Sequence, residues 1–100
     1  MFLLGRRLAF RVEGDSMLPV LKSGDTVLIN PRAKAEPGDI VAAHHPYIGK
    51  TKLIKRIDSI DSQGRFILVG DNPSESTDSR SFGSLAKDDI LGKVVCRFKA

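Results

Sequence analysis

Cysteine, histidine, long apolar runs and dense charge are all scarce in this chain of 100 residues, and each scarcity removes a class of function. Cys96 is the single cysteine, so no intrachain disulfide can form and nothing implies an oxidising compartment. It lies in "KVVCRF", a β-rich run where a small core residue is expected. The two histidines, His44 and His45, are adjacent. On a strand, successive side chains point to opposite faces, and no third ligand has suitable spacing, so a metal site is not expected and neither is any other cofactor. The start, "MFLLGRRLAF", offers only Phe2, Leu3 and Leu4 between Met1 and Gly5. That is too short for a signal-peptide core and far short of the roughly 18 residues that span a bilayer. The expectation is a soluble, cytoplasmic protein, with room for weak peripheral membrane contact through Phe2, Leu3, Leu4, Arg6 and Arg7. Sixteen Lys and Arg against twelve Asp and Glu give a net charge of +4. The basic residues are mostly scattered, and no RNP, zinc-finger or helix-turn-helix pattern accompanies them. Nucleic-acid binding is therefore not expected.

What is present suits one small β domain. Its length and 41% apolar content support a single core but not a catalytic domain plus a recognition domain. We set residues 1–9 apart as an N-terminal extension and assign 10–100 to the domain. Gly and Pro punctuate short β-branched runs: "TVLIN" (26–30), "IVAAH" (40–44), "TKLIKRIDSI" (51–60), "RFILV" (65–69) and "KVVCRF" (93–98). This spacing predicts a mostly β fold, a small antiparallel or mixed sheet with one or two short helical turns. "SGD" (23–25) and "EPGD" (36–39) read as turns. "GSLAKDDIL" (83–91) can hold a helical turn with Ser84 as N-cap, and Met17–Leu21 can form another.

Three pieces carry chemistry. In "VEGDSMLPVL" (12–21), Gly-Asp-Ser followed by Pro is ordinary turn chemistry, so Ser16 becomes a candidate nucleophile only if a base can be found. Lys55, in "TKLIKRIDSI", is that candidate. By strand alternation it shares a face with Leu53 and Ile57, and burial would disfavour the ammonium and lower its pKa. The competing reading is a lysine whose stem lies on apolar surface and whose ammonium stays in water. The third piece, "GDNPSESTDSRSFG" (70–83), reads on its own as a polar loop.

Together, in this order, the three pieces resemble the signal peptidase I family of Ser/Lys endopeptidases, from about Phe10 onward. The resemblance implies the peptidase fold of that family, with Ser16 of "SMLPVL" as nucleophile and Lys55 of "KR" as general base. Ser76 of the G-D-N-x-x-x-S-x-D-S-R motif would orient the lysine. Asp78 and Arg80 would support the site, together with Gly70, Asp71 and Asn72. Met17 and Pro19 would contact substrate, and the Ser16 backbone N–H would be one donor to the oxyanion. Departures from the family pattern are informative. The chain shows no membrane-spanning segment, and only Ile57–Val69 separate the K-R and G-D-N motifs, where many bacterial members carry a large insertion. Gly14 stands where some members place a serine that assists the oxyanion hole.

These features are most similar to the maturation proteases of nickel-type superoxide dismutase. The resemblance implies a protein precursor as partner, that of nickel superoxide dismutase, from which a short N-terminal propeptide is removed; nickel would belong to the substrate. Three alternatives compete. One is a signal peptidase I acting on secretory preproteins. Another is a self-cleaving repressor, disfavoured by the short stretch before Ser16 and by the G-D-N motif. The last is a non-catalytic peptide-binding module.

Overall fold

The computed structural model describes residues 7–75 and 82–100. Its core element is one six-stranded antiparallel sheet. The strands are β1 (Leu8–Arg11), β2 (Thr26–Asn30), β3 (Ile40–His44), β4 (Lys52–Ile60), β5 (Phe66–Val69) and β6 (Ile90–Phe98). They lie side by side in the order β1-β2-β6-β3-β4-β5, so the last strand in sequence occupies the middle of the sheet. Two short 3-10 turns, Pro73–Glu75 and Lys87–Asp89, accompany the strands among the described residues.

The β-branched runs form strands because alternation gives each of them an apolar face. In β2, Val27 and Ile29 are fully buried while Thr26, Leu28 and Asn30 are half-buried. Two apolar clusters result. One contains Val41, Ala43, Ile57, Phe66, Leu68, Phe82 and Leu85. The other contains Val12, Met17, Leu21, Val27, Ile29 and Ala42. Met17 and Leu21 are both buried, and the Leu21 N–H bonds to the Met17 carbonyl at 2.9 Å, so the segment after Ser16 makes the single turn expected of it.

The strand bounds differ from expectation at both ends of the chain. β1 begins at Leu8, inside the stretch set apart as an extension, because Leu8–Arg11 pair with Ile29–Thr26. β6 starts at Ile90, three residues early, because Ile90 and Gly92 pair with Ala43 and Ala42. Two other expectations are corrected. Cys96 is exposed, not a core residue. Ile29 pairs with Val94 but Leu28 pairs with Cys96, so Val95 is an extra residue in β6, and this bulge turns Cys96 to the face opposite Val94. Ser84 caps no helix: the turn at Lys87–Asp89 is preceded by Ala86 without a side-chain cap, and Ser84 Oγ instead accepts from Arg65 Nε at 2.8 Å.

Gly92 lets β6 lie between its neighbours. A Cβ there would collide with the Ile29 side chain and stand 2.8 Å from the Asn30 carbonyl oxygen. Because backbone cannot swing aside as a flexible side chain can, Gly92→Ala is expected to cost about 1–3 kcal/mol. A thermal melt should show this as a drop of roughly 5 °C or more; an unchanged melting temperature would contradict the packing.

Asp25 secures the return from the Ser16 turn to β2. It is buried, its Oδ2 accepts the Lys22 N–H at 2.9 Å, and its Oδ1 accepts the Ala100 N–H at 3.0 Å. These bonds, the Lys22 N–H foremost and then that of Ala100, hold its carboxyl below the usual value. A carboxylate depressed on folding stabilises the fold above its unfolded value of about 3.9 and loses that contribution as pH falls through the lower folded value. Melts between pH 5 and pH 2 should therefore fall less steeply for Asp25→Asn than for the parent, and equal slopes would refute the role.

Candidate active site

The segment that carries Ser16 begins where β1 ends. Val12 donates to the Asp25 carbonyl and Gly24 to the Val12 carbonyl, both at 2.8 Å, and the chain then turns through Gly14 at φ 80°. That left-handed conformation suits glycine and strains any other residue. The Leu18 N–H bonds to the Asp15 carbonyl at 3.2 Å, closing a turn around Ser16, which is half-buried. No described residue accepts the Ser16 N–H. The Leu18–Pro19 peptide bond is cis.

Lys55 projects from the middle of β4 on the face shared with Leu53 and Ile57. It is 4% exposed, beside Ile57 at 1%, and its Cα partner across the sheet is the fully buried Val41. An amine so placed is desolvated, unlike a lysine whose ammonium reaches water.

Ser16 and Lys55 line one groove of about 750 Å³, whose walls are residues 9–17 on one side and 50–55 on the other. Each wall includes a strand edge. Among the described residues β1 pairs only with β2. β4 pairs with β3 from Lys52 onward but meets β5 only from Arg56, so the stretch Lys52–Lys55 has a strand on one side only.

The loop after β5 joins the walls. Asp71 accepts two hydrogen bonds from Arg56, Nε to Oδ1 and Nη2 to Oδ2, each 2.8 Å, in a fork against the residue that follows Lys55. Arg56 Nη1 also donates to the Gly38 carbonyl at 2.7 Å. The Asp71 carboxylate raises the guanidinium pKa above its ordinary value. The next residue, Asn72, donates its backbone N–H to the Ser16 carbonyl at 2.8 Å and its Nδ2 to the Asp15 carbonyl at 3.0 Å. Consecutive residues thus hold the base-bearing strand and the serine-bearing turn.

The remaining expected site residues are placed as follows. Gly70 is buried just before this clamp. Met17 is 1% exposed, a core residue whose flank reaches the groove wall. Pro19 is exposed and absent from the groove lining, because the turn after Ser16 carries it away. Ser76, Asp78 and Arg80 lie outside the described residues. Sequence reasoning missed what Arg56 does. The signal lay in the Lys55-Arg56 pair itself: with Lys55 inward, alternation sends Arg56 to the other face, within reach of a carboxylate.

The fork predicts coupling. Arg56→Lys loses both the fork and the Gly38 bond, and Asp71→Asn loses the charge; each is expected to lower unfolding stability by about 1 kcal/mol, since the pair is only partly shielded. In a double-mutant cycle by urea denaturation the two losses should be less than additive, whereas full additivity would mean the pair does not act as a unit.

Comparison with known proteins adds relatives to this geometry. The peptidase S24-like family matches residues 5–95. Signal peptidase IB of Staphylococcus aureus strains Mu50, N315 and MW2 is 32% identical to the chain over 96 residues, covering 87% of this chain and 49% of each relative. The chain thus spans about half the length of the curated relatives it matches.

Proposed function

We propose, on the premise that this chain belongs to the peptidase S24-like family, that it is a serine endopeptidase using a Ser16/Lys55 dyad. The observation that carries this reading is the pairing of a half-exposed serine in a fixed turn with a buried lysine on the facing wall of one groove. A neutral Lys55 amine takes the Ser16 proton as Oγ attacks the scissile carbonyl. The resulting ammonium returns a proton to the leaving amine as the acyl-enzyme forms, and water then releases the acyl group. Ser76 orients the amine, and the Ser16 N–H, which no described residue accepts, is one donor to the oxyanion.

The substrate is an extended segment of a protein precursor, added as a strand between the edges of β1 and β4, where main-chain bonds fix its register. The finer reading is removal of a short N-terminal propeptide from a nickel superoxide dismutase precursor. It is supported by Gly14 and by the short span Ile57–Val69 between the K-R and G-D-N motifs. The likeness to signal peptidase IB favours a second reading, cleavage of secretory preproteins. Incubating the protein with both precursors and sequencing the new N-termini separates them.

Ser16→Ala is expected to abolish cleavage with the melt unchanged; processing at the parental rate would refute the nucleophile. Lys55→Arg should be nearly inactive, because guanidinium holds its proton throughout the working range. Parental activity should rise with pH through an ionisation below the ordinary lysine value of about 10.4, since burial disfavours the ammonium. Lys55→Met should melt at or above the parental temperature. No ionisation below about pH 10, together with a lower Lys55→Met melt, would sink the dyad.

A further inference from the structure

The groove is electrically lopsided in a way the Ser16 and Lys55 chemistry does not use. β1 and β4 are separated by four antiparallel pairings, β1 to β2, β2 to β6, β6 to β3 and β3 to β4, so they run in the same direction. Both walls therefore lead away from the dyad at the same end. On the β1 wall the lining passes from Ser16 through Asp15 and Glu13 to Arg11; on the β4 wall it passes from Lys55 to Lys52 and Lys50. The two acids sit at the serine end. Three exposed cations, Arg11, Lys50 and Lys52, sit at the far end, and among the described residues none of them is in an ion pair.

The Lys50 side of this end is built by local bonds. His45 Nδ1 accepts the N–H groups of Tyr47 and Ile48, both at 3.1 Å. The His45 N–H bonds to the Thr51 carbonyl at 2.8 Å, and the Thr51 N–H to the Ile48 carbonyl at 3.0 Å. The His45 ring also packs on Phe82, centroids 4.9 Å apart. Lys50 and Lys52 flank Thr51, and both line the groove. Cations of one sign that converge on a cleft from two distant chain segments focus a positive potential into it.

On the reading of this groove as a peptidase cleft, we propose that Arg11, Lys50 and Lys52 form a subsite that selects precursors with an acidic residue a few residues from the scissile bond. The geometry sets the distance. Within β4 Lys52 precedes Lys55 by three residues, and a strand rises about 3.3 Å per residue, which puts Lys52 roughly 10 Å from the base, with Lys50 two residues further back in the turn before the strand. A substrate strand alongside β4 brings its residues about three to five positions from the cleaved bond to these cations, on one side of that bond only.

The test is digestion of a proteome-derived peptide library, with sequencing of every new N-terminus. Asp and Glu should be enriched about threefold at positions roughly three to five from the cleaved bond on one side, with no bias on the other, and the enrichment should fade in 1 M salt. The double reversal Lys50→Glu/Lys52→Glu, checked by its melt, should switch the preference to Lys and Arg at the same positions. Arg11→Gln should weaken the acidic preference without inverting it. Cleavage without acidic enrichment, or enrichment untouched by the reversal, overturns the subsite and leaves the peptidase reading standing. A parental digest no different from that of Ser16→Ala overturns both.

Discussion

Two consecutive residues, Asp71 and Asn72, fix the distance between the walls of the groove. One holds the strand that carries Lys55 through a forked pair with Arg56; the other holds the turn that carries Ser16 through its backbone N–H and side-chain amide. Proximity has value in acyl transfer only when the reacting groups are set within a few tenths of an ångström. Neither wall can supply that on its own, because β1 and β4 never pair with each other and three strands lie between them. The clamp spans the open side of the sheet, and its anchors are a charge-assisted fork and backbone carbonyls, which leave little rotational freedom. Arg56 extends the tie to the Gly38 carbonyl and so fastens the β2–β3 connection as well.

The groove also turns a structural liability to use. A strand edge with unpaired N–H and C=O groups invites another chain. Here two such stretches line one cleft, and on the proposed reading an incoming segment would be met from both sides, its main chain supplying most of the register. Recognition of this kind tolerates varied sequences and leaves discrimination to a few side chains along the walls.

Much of this was legible in the sequence, and for identifiable reasons. The runs Thr26–Asn30 and Ile40–His44 became strands with the expected bounds because each is a short run bracketed by turn residues, the first alternating cleanly and the second apolar on both faces. Alternation placed Lys55 on the face of Leu53 and Ile57 but left a water-reaching ammonium open, and the structure buries the residue. What escaped depends on pairing between distant segments. β1 is a strand because β2 is beside it, and the early start of β6 comes from contact with β3. The exposure of Cys96 is set by one bulged residue, Val95, that period-two reasoning passes over. The clamp escaped for a similar reason: Arg56 and Asp71 are fifteen residues apart, and nothing local says that they meet. The parts assigned to Ser76, Asp78 and Arg80 rest on the motif they share with the signal peptidase family.

The central place of β6 bears on how the protein is made. Strands β1 and β2, with the serine turn, form one flank of the sheet, and β3, β4 and β5, with the lysine, form the other; β6 alone pairs with both. During synthesis the serine and the lysine leave the ribosome well before Ile90–Phe98, the strand that brings their flanks together. A nascent chain halted before that strand carries both groups of the proposed dyad on two sheet fragments with no ladder between them. The order of strands thus leaves the serine-bearing and lysine-bearing flanks unjoined as one sheet until β6 has been made.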